Sequence, residues 1–136
     1  MAKTILITQP NTDVLDNMAG WLRQAGYNVV LCTGPGEYRK DCMAHSFDDC
    51  PLWPGADLVI YDPWIATGYE GQDQFAVERE RHPHIPVLIY GPSAVPADVA
   101  DMADEGAVEV LPVVLTRDVL LDAVQRHIGL PLVTLS

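Results

Sequence analysis

The sequence predicts a doubly wound α/β sandwich, and three observations carry the prediction. Short apolar, β-rich runs recur five times along the 136 residues, and segments with helical spacing of apolar residues separate most of them. The third run, Ala56-Asp57-Leu58-Val59-Ile60-Tyr61-Asp62, is apolar through its centre, as a parallel strand covered by helices on both faces must be. Its ends are marked by Pro54-Gly55 and Asp62-Pro63, both turn signals. With 49% apolar residues in this length the chain has material for one core and not for two, so residues 1–136 are expected to form a single domain.

The first element is Thr4-Ile5-Leu6-Ile7-Thr8, a strand stopped by Gln9-Pro10-Asn11. A helix follows, with Thr12 or Asp13 as its cap. Val14, Leu15, Met18, Trp21, Leu22 and Ala25 recur on its inner face and Gly26 is its stop. Tyr27 to Cys32 is the second strand, and strand-helix-strand in this order makes a right-handed parallel crossover. Residues 33–55 break the pattern, with at most a short helix within Glu37 to Phe47, and loops of that length tend to be functional or stapled.

Beyond the central strand, Pro63 to Gly71 reads as a loop and Gln72 to Arg81 as a helix with a solvated charged face, ended by His82-Pro83-His84. The two histidines read as surface residues. Ile85 to Tyr90 is the fourth strand, with Pro86 at its start. Pro96 opens a helix to about Glu105, with Gly106 as its stop. Ala107 to Leu111 is the fifth strand. Thr116 caps a last helix, Arg117 to Ile128, facing inward with Leu120, Ala123, Val124 and either His127 or Ile128. Only an apolar tail follows, so no second domain is expected.

Acidic side chains outnumber basic ones 19 to 8, and a net charge of -11 opposes both a phosphate backbone and an anionic membrane surface. Nucleic acid and membrane are therefore excluded as expected partners. The sequence holds no apolar run of about 18 residues and no signal-type start, so a cytoplasmic location is expected.

In open α/β sheets ligands gather beyond the carboxyl ends of the strands, where Asp62 is expected to stand. Asp62 also fits a plain turn former, since Asp-Pro begins turns. Asp57-Leu58-Val59-Ile60-Tyr61-Asp62 followed by Glu70-Gly71, Ile85-Pro86-Val87-Leu88-Ile89-Tyr90, and Glu105-Gly106-Ala107 before a strand and a capped helix together resemble bacterial two-component response regulator receiver domains. The resemblance covers nearly the full length except residues 33–55. It implies a flavodoxin-like five-stranded parallel sheet, with Asp62 at the phosphoacceptor position.

The rest of the family's phosphotransfer set departs from the pattern. Gln9-Pro10 stand where an acidic pair would hold magnesium, Gly91 where a serine or threonine is used, and Val113 in place of the lysine. Asp13 lies too far into the helix start to substitute for the acids. The resemblance therefore implies a degenerate pseudo-receiver, a signalling module without catalysis or cofactor that binds another protein. The surface after Pro96 is its expected contact, and a homodimer is admitted. The alternative it leaves is a receiver phosphorylated on Asp62.

Cys32, Cys42, His45 and Cys50 form Cys-x9-Cys-x2-His-x4-Cys around the irregular segment. Three readings stay open. The thiols are structural or unreactive, or Cys42 and Cys50 form a reversible disulfide, or the four residues hold zinc. The last two would make the loop a redox or metal sensor.

Overall fold

The computed structural model describes residues 2–9, 12–32, 53–62, 81–90, 108–112 and 114–131. Five parallel strands form one sheet: β1 (Thr4–Thr8), β2 (Asn28–Cys32), β3 (Leu58–Tyr61), β4 (Val87–Ile89) and β5 (Val108–Val110). Their order is β2-β1-β3-β4-β5, the flavodoxin-like order of a doubly wound sheet. The switch point lies between β1 and β3, where successive connections leave in opposite directions. Around the sheet the described helices are α1 (Thr12–Ala25) and α2 (Arg117–Ile128), with a single 3-10 turn at Trp53–Gly55.

Alternation along the strands divides the core into two layers. Ile5, Ile7, Leu58, Ile60 and Leu88 pack with Leu15, Met18, Ala19 and Leu22 of α1 and with Leu120, Ala123 and Val124 of α2. On the other face Leu6, Val59, Tyr61, Val87, Ile89 and Val108 pack with Trp53, Ala56 and Ile85. The expected inner faces of both helices hold. Val14, Trp21 and Ala25 lie at the margin of the first layer, and Ala19 joins its buried centre.

Local chemistry explains the helix ends. The Thr116 hydroxyl accepts from the Val119 N–H at 3.3 Å, as an N-cap should, and Gly129 closes α2 at φ 77° with its N–H on the Gln125 carbonyl. Gly26 at φ 108° turns the chain out of α1 in a conformation that side-chain-bearing residues rarely adopt. One expectation is corrected here: Thr12 is already helical and Asp13 lies in the first turn, so neither is the cap of α1.

Further corrections concern burial. Among the described residues β2 has a neighbour on one side only, and this edge strand shows an exposed pattern. Trp53, expected in an irregular loop, is 1% exposed and meets Tyr61 edge-on at 6.5 Å between ring centroids. His82 is half-buried and stacks on Trp53 at 6.2 Å, while His84 is exposed as expected. Arg81 is helical and helicity stops at His82. The helices expected within 37–47 and over 72–80 and 96–105 lie outside the described residues.

At the amino ends of the strands the chain is tied to the end of α2. The Lys3 ammonium donates to the Ile128 carbonyl, the Lys3 N–H to Pro131 at 2.7 Å, and the Tyr27 hydroxyl to Gly129 at 2.8 Å. Burial pushes the Tyr27 phenol above its ordinary range. Asp57 clips β3 to β1, accepting from the Thr4 N–H at 2.7 Å through Oδ2 and donating to the Thr4 carbonyl at 2.8 Å. Across β5 and α2, Arg126 grips Glu109 with two bonds of 2.9 Å, and His127 Nε2 lies 3.0 Å from the same carboxylate.

Candidate functional site

The carboxyl edge of the sheet is assembled by register. Thr8 pairs with Tyr61, Tyr61 with Ile89 and Ile89 with Val110, so the next residues on these strands, Gln9, Asp62, Tyr90 and Leu111, stand side by side. Backbone bonds carry the pairing past the strand ends. Asp62 N–H donates to Thr8 at 3.1 Å, Tyr90 N–H to Tyr61 at 3.0 Å and Leu111 N–H to Ile89 at 2.8 Å. Neighbouring strands lie about 4.8 Å apart, so Asp62 has an amide on one side and a phenol on the other. Alternation from Ile7 and Ile60 turns Gln9 and Asp62 toward the α1 and α2 layer, where Tyr90 and Leu111 pack.

This edge is buried. Asp62 is 2% exposed and Gln9 1%. A buried carboxylate is tolerated where donors surround it, and an amide supplies donors without charge. Gln9 sets an uncharged amide next to Asp62 and adds nothing to the negative charge that attracts a divalent cation. Magnesium prefers carboxylates completed by water. Among the described residues no group of three or more histidine, cysteine, aspartate or glutamate side chains is arranged to hold a metal. The described part of the edge does not fit a magnesium site.

Beside it, α1, Tyr90 and the segment before α2 enclose a recess of about 90 Å³, lined by Val14, Asn17, Met18, Trp21, Tyr90 and Leu115. This is smaller than the cavity of about 150 Å³ that takes benzene, so it has room for a small side chain at most.

Of the expected site residues, the structure brings Asp62 and Gln9 together and leaves Cys32 at the end of β2. The Cys32 carbonyl accepts from the Gln9 N–H at 3.0 Å, and the residue is half-buried. Pro10, Gly91, Val113, Cys42, His45 and Cys50 lie outside the described residues. Sequence reasoning passed over Tyr90 as the end of a strand. Its signal was positional: like Asp62, it is the last residue before a turn former, Gly91 in one case and Pro63 in the other.

No family model and no curated protein matches the chain. Solved structures do. A response regulator from Thermotoga maritima superposes with a TM-score of 0.65 at 18% identity, over 95% of this chain and 99% of its own. The HemR receiver domain from Leptospira biflexa, in its non-phosphorylated form, gives 0.70 at 18% identity over 98% and 99%. The receiver fold is the fold of this chain. A third receiver domain, from a sensor histidine kinase of Pseudomonas aeruginosa, matches at 0.65 and 20% identity over 95% and 99%, and that protein carries magnesium in its active-site cleft. At these identities the likeness speaks for the receiver fold, and the chemistry of the edge rests on this chain's own residues.

Proposed function

We propose that the chain is a receiver-like signalling module that acts by binding another protein and does not carry a phosphoryl group on Asp62. The observation that supports this most is the burial of Asp62, 2% exposed between Gln9 and Tyr90. Phosphoryl transfer needs in-line access to the acceptor and a cation to neutralise developing charge. Burial restricts the first, and an amide in the place of an acid weakens the second. Asp62 then acts as a hydrogen-bond acceptor that closes the sheet edge.

On this reading all 136 residues serve one domain without catalysis or cofactor, working in the cytoplasm. Among the described residues no helix is long and apolar enough to cross a membrane. The net charge of -11 favours a protein partner with basic groups over nucleic acid or an anionic lipid surface. Beryllofluoride with magnesium, followed through the backbone amide signals of Gln9, Asp62 and Tyr90, tests the reading. Unchanged signals are expected, and saturable shifts at these three amides would overturn it.

A further inference from the structure

β2 ends the sheet. It bonds β1 through its even-numbered residues: the Asn28 N–H donates to Lys3 at 3.0 Å, and the Cys32 carbonyl accepts from Gln9 at 3.0 Å. A parallel ladder uses alternate residues, so the N–H and C=O groups of Val29 and Leu31 face outward. One of them, the Val29 carbonyl, accepts an exposed bond of 3.4 Å from Arg23. Natural edges are commonly blunted by charge, proline or a bulge. Asn28–Cys32 has no charged residue and no proline, and Val30 and Leu31 are 37% and 36% exposed on opposite faces.

We propose that this edge pairs with β2 of a second copy, antiparallel about a two-fold axis at Val30. The strand suits itself. Pairing about Val30 sets Val29 against Leu31 of the second copy at both hydrogen-bonded positions, satisfying the outward groups with roughly four backbone bonds. Val30 meets its own counterpart at the non-hydrogen-bonded position between them, where side chains approach most closely. Each face of the joined sheet then gains apolar contact. A charged partner would find no complementary charge in these five residues. The net charge of -11 resists association of like copies, but it lies off the strand and is screened beyond about 8 Å at physiological salt. An edge this short buries less than the roughly 1,200 Å² of a stable complex, so the dimer is a weak one.

Sedimentation of the full chain from about 10 μM to 1 mM, the range of weak association, should show the mass rising toward twice the monomer. Added salt should strengthen the dimer. Amide exchange at Val29 and Leu31 should slow by roughly three- to fivefold across that range, as the monomer fraction falls, while exchange in β5 stays unchanged. Val30→Lys, at an exposed position, should keep the fold and remain monomeric. With Cys32→Ser, Cys42→Ser and Cys50→Ser in place, Val30→Cys should cross-link on air oxidation because the paired α-carbons lie about 4.5 Å apart, and Leu31→Cys should not. A monomer at every concentration overturns the proposal, as does a dimer that survives Val30→Lys. Protection of the two amides only when an apolar extended peptide is added would overturn the second copy as occupant.

Discussion

Replacing Leu22 with alanine removes a side chain that is fully buried and packs in the layer that α1 shares with Ile5, Ile7 and Val124. Each buried methylene contributes about 0.8 kcal/mol, so the lost carbons account for roughly 2.4 kcal/mol. Neighbours on β1, β3 and α2 are held by their own contacts and collapse only partly into the gap. The cavity raises the expected loss to about 3–5 kcal/mol. Urea unfolding followed by far-ultraviolet dichroism reads this directly. With a slope near 1.5 kcal/mol/M, the midpoint should fall by roughly 2–3 M while the slope is unchanged. Asp16→Ala, on the exposed face of the same helix, should stay within about 0.5 kcal/mol. A loss under about 1 kcal/mol at Leu22, or equal losses at the two positions, would refute the assignment of the helix faces.

Three further outcomes follow from the geometry. Thr116→Ala should cost about 1 kcal/mol by freeing the Val119 N–H, with Thr116→Ser recovering most of it in the same melts. The Arg126 hydrogen bond holds the Glu109 carboxyl below its ordinary 4.5, so its contribution is present above that pH and is lost as pH falls through it toward the depressed value. Glu109→Gln should therefore lower stability at pH 7 and lower it progressively less as pH falls below 4.5, and an equal loss at every pH would contradict the linkage. Gln9→Glu would set a second carboxylate beside buried Asp62 and raise the pKa of the pair. A destabilisation of about 1–3 kcal/mol that grows as pH rises is expected, relieved by millimolar magnesium, and no pH dependence would contradict the placement of Gln9.

The elements readable in the sequence were those with strong local signals. α2 runs from Arg117 to Ile128 because Thr116 caps it, Gly129 stops it, and Leu120, Ala123 and Val124 share one face. The five strands were legible as apolar runs; β1 matches its run, and the other four strands are shorter than theirs. Periodicity carries no information on which strand lies at an edge, so the exposure of Val30 and Leu31 came only with the strand order. Trp53 sits in a 3-10 turn with no period to reveal its burial, and the Glu109–Arg126 pair joins two separate elements, which periodicity within either one does not show. At the site, Asp62 was legible from an apolar run ending in Asp-Pro. Gln9 was placed beside it only by the family resemblance, and Tyr90 was missed, because proximity between strands is set by register.

Incubation of the purified chain with acetyl phosphate and magnesium, read by intact mass and by peptide mapping, bears most directly on the central claim. The account predicts no added phosphoryl group on Asp62, with Gln9→Glu as the variant in which one would first appear. A stable acyl phosphate on Asp62 in the unaltered chain would contradict it.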